Sequence, residues 1–216
     1  MKTLIAIPCM DTVPVTFAES LLNLQKPQQT AVCFKASSLI YDARNLLALT
    51  AIENNFDRVL WLDSDMDVPI NTLTRLSEDM DAHGWDMVTG IYFKRRFPAE
   101  PVIFENISEP TLVNGIPERH IDTYKSYPRN SLFQIAGCGF GCVMTSVPLL
   151  KRVWDKYKNA FLPFPWAGED ISFCHRVNLM SEAIFCDSTI RCGHVGQYVY
   201  QEKDFVIGGR ENWEKE

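Results

Sequence analysis

The sequence has no apolar run approaching the ~18 residues that a membrane-spanning helix requires. It also has no internal repeat, no low-complexity tract and no break in composition along its 216 residues. With 12 Pro and 11 Gly it is neither collagen-like nor a disordered linker, and 46% apolar residues can build a core. An excess of basic charge is missing too. Twenty-one Lys and Arg face 27 Asp and Glu, a net charge of −6, which argues against sequence-blind binding to nucleic acid or anionic lipid. The seven cysteines include no CxxC pair. An odd number of cysteines in a chain this large reads as reduced thiols in a cytoplasmic protein, not as a disulfide scaffold. The Met1–Ile7 start runs into Pro8 and Asp11 and reads as the end of a strand, not as a leader peptide.

What is present is a regular first half. Leu4–Ile7 predicts a short buried strand, followed by a helix-like stretch to about Gln25 and a second strand at Ala31–Phe34. From Asp42 the chain turns helical, with Leu47, Ala48, Ala51 and Ile52 on one face. Arg58–Leu62 is apolar almost throughout, as a strand covered on both faces should be. Pro69 opens the next predicted helix, with Leu73, Leu76 and Met80 inward, and Asp86–Ile91 closes the series. Such alternation implies an α/β fold with a mostly parallel central sheet flanked by helices, and ligands beyond the carboxyl ends of the strands. The second half is less regular. Five prolines in residues 98–135 indicate loops and hairpins. Ser146 with Pro148 predicts a capped helix, a further helix starts near Gly168–Asp170, and two short strands follow around Ala183–Phe185 and Thr189–Arg191. The expected organisation is one domain over 1–216: a nucleotide-binding half (1–97), an acceptor-binding and catalytic half (98–200), and a mobile acidic tail (201–216).

Three constellations carry chemistry. The first is Asp63-Ser64-Asp65, directly after the buried strand. Alternate residues of an extended chain point the same way, about 7 Å apart. Two bare carboxylates at that distance repel by roughly 2 kcal/mol at an effective dielectric near 20. A hard divalent cation, Mn²⁺ or Mg²⁺, with a bound diphosphate would relieve this. The competing reading is an acidic turn that caps the following helix, a part expected of Asp67. The second is Glu169-Asp170 at the mouth of a helix, whose positive end is expected to hold the pair ionised for use as a general base, unless it is simply a capped helix with a solvated Glu. The third is His194 between Gly193 and Gly196, a structural histidine or, beside a metal, a ligand.

Taken together, the sequence resembles the GT-A glycosyltransferases, most closely their family 2-like group. Four stretches in order carry the resemblance: Ile5–Pro8 with Asp11, Asp42-Ala43-Arg44-Asn45, the DxD triplet Asp63-Ser64-Asp65, and Gly168-Glu169-Asp170 with Phe173, Arg176 and the trailing His194. The resemblance implies a GT-A, Rossmann-like fold and transfer of a sugar from a nucleoside-diphosphate donor, a UDP-sugar first and a GDP-sugar second. It implies that Pro8, Cys9 and Asp11 line the nucleotide pocket, and that Arg44 and Asn45 steady the diphosphate or ribose. Asp63 and Ser64 would lie by the ribose, and Asp65, His194 and Asp63 would surround the Mn²⁺ (or Mg²⁺). Gly139, in the glycine-rich 137–141 segment, would let the sugar approach the backbone. Asp170, with Glu169 beside it, would be the base of an inverting transfer to an acceptor hydroxyl on a glycan, lipid-linked sugar, protein or modified nucleobase. The short chain leaves the acceptor to residues 98–135 or to a partner.

The run Lys94-Arg95-Arg96, flanked by aromatics, would hold a phosphate of the donor or acceptor, or else is a solvated loop. Cys138 and Cys142, and Cys186 and Cys192 near His194, lack zinc-site spacing and are expected to be buried thiols. Two rival readings remain at this level. One is a haloacid-dehalogenase-like phosphatase using Asp63 as nucleophile; the other is a nucleotide-sugar-binding protein without turnover.

Overall fold

The computed structural model describes residues 1–196, 199 and 201–204. Residues 205–216, most of the expected acidic tail, lie outside the described residues. In chain order the elements are β1 (Thr3–Cys9), α1 (Val15–Asn23), β2 (Thr30–Ala36), α2 (Ile40–Glu53), β3 (Arg58–Leu62), β4 (Met66–Asp67), α3 (Thr72–His83) and β5 (Met87–Ile91). The second half adds β6 (Ile103–Val113), β7 (Ile116–Thr123), β8 (Leu132–Ile135), β9 (Gly137–Cys138), β10 (Cys142–Ser146), α4 (Val147–Tyr157), α5 (Glu169–Asn178), β11 (Ile184–Arg191) and β12 (Gly193–His194).

Seven strands form the central sheet, in the order β2-β1-β3-β10-β5-β11-β8. β2, β1, β3, β5 and β11 share one direction, while β10 and β8 run against them. The sheet is thus mixed, mostly parallel, and flanked by helices. Alternating side chains serve two cores. Leu4, Ala6, Val59 and Trp61 pack on one face against α2, α4 and α5, with Phe140 and Phe161 against the Trp61 ring and Phe173 against both phenylalanines. Ile5, Ile7, Leu60 and Leu62 pack on the other against Phe17 of α1 and Leu73, Leu76 and Met80 of α3.

Local chemistry explains most boundaries. β1 continues through Pro8 to Cys9, past the end of its pairing with β3 at Ala6 and Trp61, where a missing N–H costs no bond on that side. The predicted Ser146 cap is present: its Oγ accepts from Leu149 N at 3.0 Å, with Pro148 in the first turn of α4. α3 closes on Gly84 at φ 68°, a left-handed position suited to glycine.

Two expectations are corrected, and the hairpin expected in 98–135 is present. Asp67 does not cap α3, which begins at Thr72 behind Asn71; Asp67 instead sits in β4, paired with Gly193 of β12. The two short strands expected around 183–185 and 189–191 are one, β11, with a register shift between Asp187 and Arg191. The irregular 98–135 segment contains a long hairpin, β6–β7, whose base pairs with β9 in a separate three-stranded sheet.

Candidate functional site

The strand ends converge on a cleft of about 320 Å³. Pro8, Cys9 and Met10 reach it from the end of β1, Ser37 and Ser38 from the end of β2, and Asp63, Ser64 and Asp65 from the end of β3. Arg95 and His194 complete its polar lining. That is the carboxyl edge of the parallel strands, where such folds bind ligands.

His194 is far from Asp65 in sequence and is brought there by β12, which pairs with β4 immediately after the DxD turn. Val195 N donates to the Asp65 carbonyl at 2.7 Å and fastens the two segments. The imidazole Nδ1 lies 2.8 Å from the Phe93 carbonyl oxygen and packs edge-on against the Tyr92 ring. A carbonyl only accepts, so Nδ1 carries the hydrogen and the Nε2 lone pair is left free in the neutral ring. Nε2 lies 3.5 Å from Asp65 Oδ2. A lone pair and a carboxylate oxygen facing each other call for a cation between them, a proton or a metal ion. Arg95 Nη1 meets the same Oδ2 at 2.9 Å. Burial alone would raise the Asp65 carboxyl, but the His194 contact and the Arg95 charge bring it below the ordinary range.

Asp63 faces a different cation. Its Oδ1 accepts from Arg44 Nη2 at 2.8 Å, and Arg44 Nε lies 3.3 Å from Glu169 Oε1. Arg44 is 1% exposed, and its Nη1 has no hydrogen-bond partner among the described residues. Burial works against this guanidinium, but Asp63, Glu169 and Asp170 outweigh it and raise its pKa. Asp63 itself is raised: burial pushes it up, and Asp65 and Glu169 oppose the pull of Arg44. The repulsion anticipated inside the DxD triplet is therefore met, in this structure, by two arginines.

Asp170 sits above the ordinary carboxylate range. Its Oδ1 accepts from Ile171 N at 2.7 Å, yet burial, and then the neighbouring Glu169 charge, push its carboxyl up to about 6. A helix end offering about half a charge does not offset burial and a neighbouring carboxylate, although a group at about 6 is still largely ionised at neutral pH.

Several anticipated residues stand elsewhere. Asn45 is 7% exposed and its Oδ1 accepts from Phe161 N at 3.0 Å, so its visible task is to fasten α2 to the loop after α4. Arg44 lies behind Asp63, not on the cleft lining, and Asp11 is exposed outside the cleft. Gly139 does not line the cleft either. A Cβ there would fall 2.1 Å from Tyr92 Oη and 2.7 Å from Val102 Cγ1, so glycine is needed for packing at that position. Among the described residues no three His, Cys, Asp or Glu side chains form one metal-holding cluster, so Asp65 and His194 are the pair that faces a common point. Cys138, Cys142, Cys186 and Cys192 are buried free thiols, as expected. Arg95 was singled out as part of the basic run after β5, and of that run it is the residue that lines the cleft; Ser37 and Ser38 lie just past the end of β2, at the sheet edge where ligands are expected.

No protein-family model matches this sequence, and no curated protein matches it. Solved structures do resemble the fold. A197 from STIV aligns with a TM-score of 0.66 at 16% identity, over 98% of this chain and 100% of its own. GalNAc-T7, solved with UDP, GalNAc and Mn²⁺, aligns at 0.57 and 8% identity, over 95% of this chain and 45% of that one. Residues 1–349 of S. aureus TarS align at 0.52 and 16% identity, over 93% of this chain and 60% of that one. This chain thus spans about half the length of the latter two. It has the GT-A fold, and glycosyltransferases are among its structural neighbours. No helix among the described residues is long and apolar enough to cross a membrane.

Proposed function

We propose that this chain is a metal-dependent glycosyltransferase, moving a sugar from a nucleoside-diphosphate donor to an acceptor hydroxyl with inversion. One observation carries the reading: Asp65 Oδ2 and His194 Nε2 face each other at 3.5 Å on the cleft, with His194 Nδ1 committed to Phe93. A carboxylate and a fixed imidazole lone pair fit a divalent cation, and the imidazole favours Mn²⁺ over Mg²⁺. When bound, the cation would supply positive charge to the departing diphosphate. The neighbour solved with UDP and Mn²⁺ supports a UDP donor, with GDP as the next candidate.

This chain's own residues supply the rest. Pro8, Cys9, Ser37 and Ser38 receive the nucleoside, with Asp63 and Ser64 beside it. Arg44 pairs with Glu169 next to Asp170. A carboxyl pushed up to about 6 is a stronger base than an ordinary aspartate and is still largely ionised at neutral pH, so Asp170 takes the acceptor proton. The 98–135 segment, with its hairpin, receives the acceptor. The phosphatase alternative loses its footing, because Asp63 is held by Arg44 and follows the third strand of a GT-A sheet.

The test is calorimetric titration of UDP and GDP with Mn²⁺, repeated in EDTA. One nucleotide should bind only with metal, Asp65→Ala should weaken it at least about tenfold, and the matching sugar nucleotide should hydrolyse slowly. Binding of neither nucleotide would overturn the reading; tight binding without hydrolysis or transfer would leave a binding protein.

A further inference from the structure

Asp65 Oδ2 already has a cation. Arg95 Nη1 sits 2.9 Å from it, on the same oxygen that His194 Nε2 faces at 3.5 Å. Its neighbours in the basic run are engaged elsewhere: Lys94 Nζ lies 2.9 Å from Glu100 Oε2, and Arg96 pairs with the same carboxylate. Of the three, only Arg95 lines the cleft. It is held loosely, with its side chain 48% exposed and a second contact to the Val195 carbonyl at 3.3 Å. A divalent ion seated against Oδ2 and Nε2 would meet this guanidinium at close range, and like charges at that distance repel strongly. The two compete for the oxygen.

We infer that Arg95 holds the divalent cation's place on Asp65 before ligand binds, and that cation entry releases it to the diphosphate of the incoming donor. The inference rests on the proposed metal site and names a role for one residue within it. A freed guanidinium in the same cleft presents a planar fork of donors that matches phosphate oxygens. The exchange keeps charge matched at both stages. Without ligand, Asp65 is neutralised by Arg95; with ligand, the cation takes Asp65 and Arg95 moves to the phosphates. Cation and nucleotide therefore favour each other's binding, and part of that coupling passes through Arg95.

Mn²⁺ binding, followed by its paramagnetic resonance signal or by calorimetry, separates this from a simple phosphate contact. In Arg95→Met, Mn²⁺ alone should bind about three- to fivefold more tightly, as expected when a half-exposed competing ion pair is removed. UDP in the presence of Mn²⁺ should bind about tenfold more weakly. Arg95→Lys, which keeps the charge, should return Mn²⁺ affinity towards the wild-type value. Equal or weaker Mn²⁺ binding by Arg95→Met, with the wild type binding normally, overturns the exchange while leaving the metal site standing. Mn²⁺ binding to neither protein overturns both.

Discussion

Asp170 is held between opposing effects, and their balance decides two measurable properties. The Ile171 N–H bond and the Arg44 charge favour the carboxylate; burial and Glu169 oppose it and win, setting the group at about 6 against an ordinary 3.8. Between those values the folded chain keeps a proton that the unfolded chain releases. Stability from this group is therefore fully present below about pH 4 and is lost as pH rises through about 6. Replacing the carboxyl by an amide that cannot ionise should then stabilise the protein at pH 7 by about 3 kcal/mol and do little at pH 4. Urea denaturation of Asp170→Asn at both pH values checks this. An equal loss at both would show that the Ile171 bond, not ionisation, dominates. For the proposed base role, the same variant should bind nucleotide normally and fail to transfer, and wild-type turnover should rise with pH, half-maximal at about 6, to a plateau roughly one unit higher. Only the Glu169 contribution was visible in the Glu169-Asp170 dipeptide alone, because the largest cause is burial, and Asp63, which adds to the shift, and Arg44, which opposes it, are brought near only by the fold.

Among the elements, the joint between α3 and β11 shows how a buried charge is tied down. Arg75 of α3 places Nη2 3.0 Å from Asp187 Oδ2 and also bonds the Thr189 hydroxyl, while Asp187, its side chain 4% exposed, accepts from Thr189 N at 2.8 Å. Asp79, one turn along the same helix, is pushed up to about 6 by burial and then by the Asp187 charge. Removing the arginine leaves two neighbouring carboxylates with no cation between them. Arg75→Met should cost about 3 kcal/mol in chemical denaturation at pH 7, and adding Asp79→Asn should recover part of it. A loss below about 1 kcal/mol would mean the pair is solvated enough to be replaced by water. The helices themselves were legible in the sequence: the inward residues Leu47, Ala48 and Ala51 of α2, Leu73, Leu76 and Met80 of α3, and the Ser146 cap of α4 all stand as their spacing indicated. Strand direction was not. β10 is as apolar as a parallel core strand and gives no sign in its residues that it runs against β3 and β5. The candidate site was legible where chemistry is local, as in the carboxylates after β3. It was hidden where the partner decides the role: Phe161 engages Asn45, Tyr92 fills the space at Gly139, and Asp65 draws in Arg95.

For the molecule as a whole, the β6–β7 hairpin stands apart from the central sheet in both packing and expected task. Its base is integrated: Ile103 and Phe104 are buried and pair with β9, and Ile107 is 7% exposed. Its outer end is not, with Leu112, Val113 and Ile116 at 73%, 46% and 70% exposure around an Asn114-Gly115 turn. Three exposed apolar side chains contribute nothing to the core, so their removal should leave stability almost unchanged. Deleting Leu112-Val113 together with Ile116-Pro117 removes two facing pairs and lets Asn114-Gly115 close on the Thr111 and Glu118 pair. An even-numbered deletion keeps every remaining side chain on its own face of the ribbon. The cleft is built at the ends of β1, β2 and β3 and does not touch this turn, so metal-dependent nucleotide binding and slow donor hydrolysis should persist. If the 98–135 segment receives the acceptor, transfer to a saturating acceptor should fall well below wild type in the shortened chain while hydrolysis continues. Unchanged transfer would move acceptor recognition away from the hairpin tip, and a parallel loss of hydrolysis would show that the tip supports the donor cleft after all.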